Sequence, residues 1–359
     1  MNNKLTKIYK NKKVLITGHT GFKGSWLTLW LTMLGAKVTG ISKGYPTTPS
    51  HFKAIDLKKK ITHKILDIGN FNELSKIVKK LQPDFVFHLA AQSLVQKSYS
   101  DPLLTWSSNT LGSINVLESL KKIKKSCNVV MITSDKSYKN LEIKRGYKEN
   151  DLLGGHDPYS ASKASAELAI QSYINSYFMK KKNIRIAIAR AGNVIGGGDW
   201  SENRVIPDIY KSWSKNKLAL IRNPSSTRPW QHVLEAVYGY LILATKLKKK
   251  SNLHSQAFNF GPSNKKNYKV KELISIFEIN WRGFKWKQDG KRNKAHESNL
   301  LKLNSKKAEK ILGWKTKLNF KEAIFMTSDW YKEYLLRPKK IMEISKKQIE
   351  SYQNYLKKI

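Results

Sequence analysis

A single cysteine, Cys127, leaves this 359-residue chain without an internal disulfide, as expected of a protein that folds in a reducing compartment. Next to the strand-like Val129, that thiol reads as a packing residue. Acidic side chains are scarce, 26 Asp and Glu against 67 Lys and Arg, for a net charge of +41. Long apolar runs are missing too. The longest, Trp26 to Leu34, is interrupted by Thr and too short to cross a bilayer. The basic N-terminus runs straight into Val14–Thr17 without an apolar core and cleavage site, so no secretory leader and no membrane span is expected, and a cytoplasmic location is. No Cys/His cluster has metal-ligand spacing, so no metal is expected. There is no internal repeat and no long low-complexity linker.

The excess charge invites a nucleic-acid reading, since Lys and Arg neutralise phosphates and Trp and Tyr stack on bases. Yet nearly all of it is Lys, spread through every segment, as at Lys121, Lys122, Lys124 and Lys125. That pattern reads as whole-proteome composition rather than a built patch, and no specific nucleic-acid partner is expected. The positive field still attracts anionic small molecules.

What is present is a β/α alternation. Strand-like runs at Val14–Thr17, Val38–Ser42, Ile65–Ile68, Phe85–Ala90, Val129–Thr133 and Ile184–Arg190 are separated by helical ones. Near-continuous apolar strands such as Phe85-Val86-Phe87 fit a sheet covered on both faces. The expected fold is α/β, a doubly wound parallel sheet with a smaller mixed α/β lobe. The expected boundary places a nucleotide-binding domain at 1–190, its core starting near 12. A lobe at 191–359 follows, with segments around 232–262 returning to the first domain.

The first strand runs into Gly18-His19-Thr20-Gly21-Phe22-Lys23-Gly24 and then a helical pattern from Ser25 to Leu34. Glycine at 18, 21 and 24 permits a tight turn, close approach of a diphosphate and close helix–strand packing. The helix N-terminus then offers free N–H groups and a positive dipole end. Downstream, Tyr159 and Lys163 stand four apart, on one face of a helix. A Lys163 ammonium there is expected to lower the phenol's pKa from its ordinary value of ~10 and make Tyr159 a usable base. Ser134, Asp135 and Lys136 bring a hydroxyl, a carboxylate and an amine on a second segment. Taking a hydride from an alcohol needs the Tyr, Lys and Ser; a further acid and base suit β-elimination of water. Asp135-Lys136 as a solvated loop pair and Ser134 as a helix-capping hydroxyl remain the local alternatives.

These stretches resemble the extended short-chain dehydrogenase/reductase family, in its nucleotide-sugar branch, over roughly residues 10 to 335. The resemblance is carried by GHTGFKGSWL (Gly18 to Leu27), HLAAQ (His88 to Gln92), ITSDKSY (Ile132 to Tyr138) and GGHDPYSASKASAEL (Gly154 to Leu168). RAGNVIGGGDW (Arg190 to Trp200) and RPWQHVLE (Arg228 to Glu235) are narrower, and they resemble the dehydratases that act on CDP-glucose. The resemblance implies bound NAD, oxidation of the sugar at C4 by Tyr159 with Lys163 and Ser134, elimination across C5 and C6, and return of hydride to C6. By position, Asp135 is implied as acid to the leaving hydroxyl and Lys136 stands near the C5 proton. Many dehydratases of other nucleotide sugars carry a carboxylate at that second position. A different nucleotide-sugar 4,6-dehydratase or a 4-epimerase on the same fold is the alternative. The epimerase needs no elimination pair. The family also implies a homodimer and, for this branch, a place in deoxysugar and surface-polysaccharide synthesis.

For the cofactor, the resemblance implies contacts from the turn, Gly18 to Gly24, and from Leu89, Ala90, Ala91, Asn109 and Thr133, besides Tyr159 and Lys163. Asp67 and Ile68 resemble the pair that meets the adenine, although Asp67 also suits a helix cap. At the end of the second strand, where a dinucleotide site ordinarily has an acid, stand Ser42 and Lys43. That leaves NAD against NADP open, with His19 adding bulk at the turn. Substrate contacts are expected from Gln92, Ser134, Asn193, Arg204, Arg222, Arg228, His232 and His296. Three of only nine arginines fall between 204 and 228, and a planar guanidinium fork suits a diphosphate.

Overall fold

The computed structural model describes residues 3–143, 145–262, 268–289 and 301–357. Seven strands form one parallel sheet: β1 (Lys13–Thr17), β2 (Lys37–Ser42), β3 (Thr62–Ile65), β4 (Phe85–His88), β5 (Cys127–Ile132), β6 (Ile184–Ala191) and an edge strand, Ala257–Phe260. From that edge the order is Ala257–Phe260, β6, β5, β4, β1, β2, β3. The direction of winding reverses between β1 and β4, which opens a crevice at their C-terminal ends, where ligands of open α/β sheets bind.

The local reasons are plain in the sequence. β4 and β5 are buried along their whole length, so both faces need apolar side chains. The Trp26–Leu34 run is no membrane segment: it fills the helix Phe22–Met33, buried continuously from Gly24 to Leu31, as a helix apolar all round must be. That helix lies against the long helix Val233–Lys249. β3 ends at Ile65, three residues ahead of the expected run's end at Ile68, because it is an outer strand whose Thr-His-Lys-Ile side chains are largely exposed. It carries no apolar alternation to read. Cys127 lies within β5 and is buried.

Beyond β6 the chain builds short pairs: Val194–Ile195 with Gln231–His232, Thr227–Arg228 with Tyr268–Lys269, and Ala219–Ile221 with Trp286–Gln288. Helices Val205–Trp213, Val270–Asn280 and Phe320–Leu336 pack against them, while Lys306–Leu312 lies against the edge strand Ala257–Phe260. The Lys-rich tail forms the helix Ile341–Tyr355, which returns to the helix Phe22–Met33. Ser345 accepts from the Trp330 indole (2.9 Å) and lies 3.3 Å from His51, whose other nitrogen meets Ser25 (2.8 Å). No described helix is long and apolar enough to cross a membrane.

Candidate active site at the crevice

At the crevice the chain turns sharply after β1. Gly18 sits at φ +77°, and a Cβ there would lie 2.6 Å from the Ala90 nitrogen, at the end of β4. A Cβ on Gly24 would lie 2.1 Å from the Gly18 carbonyl oxygen. Both positions thus demand glycine, one for its backbone angle and one for contact. The helix that follows has Gly21 at its N-cap, with no side chain bonded to its first-turn N–H groups. Those donors face the crevice without a cap, which fits a dinucleotide diphosphate. Ala90 donates to Thr17 Oγ1 (3.4 Å) and Leu89 to the Thr17 carbonyl (3.0 Å), joining β4's end to β1.

His19 does not reach out of the turn. It is fully buried, its ring over Gly40 of β2, with Nδ1 2.9 Å from Ser42 Oγ and Nε2 2.6 Å from His63. Burial pushes it down to about 4. Ser42 also accepts from the Thr20 N–H (3.3 Å). Lys43 pairs with Asp67, just beyond β3, at 3.4 Å. Asp67 is no helix cap: its Oδ1 takes the Gly69 N–H (2.8 Å), while Asn70 caps the next helix. Ile68 is buried beneath Gly112.

Asn109 caps no helix either. It lies in a π-helical turn, Ser107–Leu111, between two helical segments, a local widening often found at functional sites. Its amide ties the loop after β4 to the Tyr159 helix, accepting from the Gln92 N–H (2.8 Å) and donating to Ser162 Oγ (2.8 Å) and the Gln92 carbonyl. The Gln92 amide donates to Thr105 and the Leu94 carbonyl.

The two reactive segments meet. Tyr159 and Lys163 lie in the helix Pro158–Tyr173, opened by Pro158 and capped by Asp157. Ser134, after β5, opens a turn that packs against the Tyr159 helix; it donates to Asp135 (2.9 Å) and accepts the Lys136 N–H (3.2 Å). Ser134 is therefore a cap on that turn. Burial dominates the charges. It pushes Tyr159 up to about 12, against the lowering effects of Ser134 and Arg204, and Lys163 down to about 7, assisted by Lys23. The expected depression of the phenol by Lys163 is thus outweighed, because desolvation disfavours both charged forms. Asp135 is raised, first by burial, despite Lys136, Ser134 and Lys23. Lys23 comes down to about 8 through burial and Arg204.

Thr133 faces away from the crevice and donates to the buried Glu167 (3.0 Å). Glu167 in turn pairs with Arg190 of β6, which also donates to the Tyr138 hydroxyl and the Glu149 carbonyl. This buried network holds the segment bearing Ser134 against the helix bearing Tyr159. Sequence reasoning missed it, and missed Asp199, which pairs with Arg204 at 2.6 Å. Arg204 lies within electrostatic reach of Tyr159 and Lys23. Arg222 donates to the Asn203 carbonyl (3.1 Å), next to Arg204. Arg228 lies in the pair Thr227–Arg228, half-buried, and the Asn193 carbonyl accepts from Gln231 (3.2 Å).

Of the two readings of His232, packed or lining the substrate, the structure shows the packed one: it is fully buried near Trp26, and its Nδ1 caps the helix Val233–Lys249 through the Leu234 N–H (3.3 Å). Its place one residue before that helix turns it inward. His296 and its neighbour Glu297 lie outside the described residues. Among the described residues, no group of three or more His, Cys, Asp or Glu is placed to hold a metal.

Fold and site together define a Rossmann-type nucleotide-binding protein with a Ser–Tyr–Lys group beside an acid and amines. The family model described as GDP-mannose 4,6 dehydratase matches residues 15–327, and the chain belongs to that family. It is 41% identical to a CDP-glucose 4,6-dehydratase of Salmonella typhimurium, over 96% of this chain and 97% of that protein. Among solved structures, an epimerase from Methanothermobacter thermautotrophicus superposes with a TM-score of 0.79 at 25% identity, covering 94% of this chain and 96% of that one. A dTDP-glucose 4,6-dehydratase from Streptomyces venezuelae, solved with NAD bound, gives 0.75 at 20% identity, over 89% of this chain and 97% of that one, and shares the fold.

Proposed function

We propose that this protein is an NAD-dependent hydro-lyase converting CDP-glucose to CDP-4-keto-6-deoxyglucose and water. The observation that carries the reading is the packing of the turn that bears Ser134 and the buried Asp135 against the helix that bears Tyr159 and Lys163. The 41% identity to a CDP-glucose dehydratase over nearly the whole chain supports the substrate. When bound, the dinucleotide supplies the group that takes hydride from C4 and later returns it to C6, and its ring brings a positive charge to the site.

The chain's own residues do the proton work. Gly18 to Gly24 and the uncapped first-turn N–H groups of the helix Phe22–Met33 hold the diphosphate. Tyr159 takes the C4 hydroxyl proton, with the turn that bears Ser134 packed against its helix. Its pKa of about 12 must fall for this, and a cation placed next to it does so. The C4 ketone acidifies the C5 proton. Lys136 is the base to which that proton passes. Asp135, whose carboxyl burial raises above its ordinary value, gives its proton to the C6 hydroxyl, which leaves as water. C5 takes back a proton from that base, exchanged with solvent, as C6 becomes a methyl group, and the proton left on Tyr159 makes good the one given by Asp135, so one water is lost overall and the dinucleotide is unchanged.

Exposed apolar side chains on adjoining helices, Tyr99, Leu103 and Leu111 with Leu168 of the Tyr159 helix, support a homodimer paired through this face. A cytoplasmic place in deoxysugar synthesis for surface polysaccharide completes the proposal. The test is incubation with NAD and the CDP, dTDP, GDP and UDP forms of glucose, following loss of one water by mass. Dehydration of the cytidine compound supports the reading, and a change of configuration without water loss favours an epimerase.

A further inference from the structure

The Lys-rich C-terminal helix, Ile341–Tyr355, has no part in the reaction outlined above, yet it is tied to the helix that opens the dinucleotide site. The tie is one imidazole. His51 begins the short helix His51–Ala54 after β2 and is 1% exposed. Its ring stacks on Trp26 at 4.5 Å and 14°. The GGGDW stretch, Gly196 to Trp200, makes room for it: a Cβ on Gly198, at φ +80°, would lie 2.5 Å from His51 Cβ. Trp26 in turn donates to the Gly197 carbonyl (2.9 Å).

The hydrogen bonds fix which ring nitrogen carries the proton. Ser345 gives its hydroxyl proton to the Ile341 carbonyl (2.8 Å), so its oxygen accepts from the Trp330 indole (2.9 Å) and from His51 Nε2 (3.3 Å). Nε2 is therefore protonated, and Nδ1 accepts from Ser25 Oγ (2.8 Å). Burial lowers His51 to about 3, so the ring is neutral at ordinary pH. Ser25 closes the first turn of the helix Phe22–Met33. Its N–H donates to the Gly21 carbonyl (2.8 Å), and its hydroxyl also lies 2.9 Å from the Phe22 carbonyl.

We propose that His51 is a positioning residue for the dinucleotide: braced by Ser345 of the C-terminal helix, it holds Ser25, and with it the first-turn N–H groups that meet the diphosphate. The proposal deepens the NAD-dependent reading above and rests on it. It also gives the C-terminal helix a role at the crevice without contact with any ligand. Donors held in place before binding need no ordering when the diphosphate arrives, and preorganisation of this kind raises affinity. With the brace cut, that ordering falls on the binding step. The chemistry at C4, C5 and C6 is untouched once NAD is seated.

His51→Phe removes both bonds and keeps an aromatic ring against Trp26. Ser345 retains Trp330 and Ile341, and the Ser25 hydroxyl turns to the Phe22 carbonyl, so neither hydroxyl is orphaned. Ser345→Ala cuts the brace from the far end. Tyr352→Phe is the control: it takes from the same C-terminal helix its hydroxyl bond to Glu235 (2.6 Å), on the helix Val233–Lys249. The experiment is calorimetric titration of the full chain, stripped of nucleotide, with NAD. Melting temperatures and kcat on CDP-glucose at saturating NAD are read alongside. His51→Phe and Ser345→Ala should each raise the Kd for NAD about fivefold to tenfold, the worth of one net hydrogen bond. The double variant should be no worse than His51→Phe, with kcat within about twofold throughout. Tyr352→Phe should lower the melting temperature and leave the Kd within about twofold. An unchanged Kd in His51→Phe or Ser345→Ala, or an equal loss of affinity in Tyr352→Phe, would overturn the proposal with the dehydratase reading intact. A wild type that binds no NAD would overturn both.

Discussion

Replacing Arg190 with Met tests how the crevice is held together. The Arg190 side chain is 2% exposed and its partner Glu167 is 0% exposed. The substitution keeps most of the volume but removes the donors to Glu167, to the Tyr138 hydroxyl and to the Glu149 carbonyl. Glu167 would be left with the Thr133 hydroxyl as its one remaining side-chain donor. Breaking a buried ion pair from one side costs about 3–5 kcal/mol, because an uncompensated charge stays behind. For a chain of this size that corresponds to a fall in melting temperature of roughly 5–10 °C. Glu167→Met combined with Arg190→Met removes both charges. Buried pairs are often replaceable by apolar groups at little cost, so the double variant should recover most of the loss. About 1–3 kcal/mol should remain for the Thr133 hydroxyl, which loses its partner, while the Tyr138 hydroxyl keeps its bond to Asn259 Oδ1 (2.8 Å). Thermal and urea unfolding of the three variants is the assay. A single variant costing under about 1 kcal/mol, or a double variant less stable than the single by the full sum, would refute the reasoning.

Tyr159→Phe should abolish all turnover, since the phenol is the group that takes the C4 hydroxyl proton. Lys136→Met should spare the first oxidation and block elimination; solvent deuterium still entering C5 at the normal rate would remove Lys136 from the role. Glu235, buried on the helix Val233–Lys249, accepts from the Lys317 and Leu318 N–H groups and from the Tyr352 hydroxyl, and burial raises it to about 7. Its folded pKa lies above the ordinary value of 4.5, so stability is highest below about 4.5 and falls as pH rises toward 7, by roughly 3 kcal/mol in all. The pH dependence of unfolding over that window should shrink in Glu235→Gln, and an unchanged slope would count against the assignment.

The parts of this fold that sequence reveals are those governed by short-range pattern. β1, β2, β4, β5 and β6 announce themselves because burial on both faces forces apolar runs, and the turn Gly18 to Gly24 because backbone geometry permits little else. β3 is misjudged because an exposed edge strand obeys no such constraint. Tyr159 and Lys163 are legible from their spacing of four, but the direction in which the phenol shifts is not. That direction depends on burial, which only the folded chain defines. The same holds for partners far apart in sequence. Nothing near Lys23 hints at Asp199 and Arg204, nothing near Glu167 at Arg190, and nothing in RPWQHV shows that His232 turns inward to cap a helix.

Transfer of a label within one sugar tests the account most directly. CDP-glucose carrying deuterium at C4 should give a 4-keto product with that deuterium at C6 and a solvent-derived hydrogen at C5. Deuterium lost to solvent, or a product that keeps it at C4, would contradict the account.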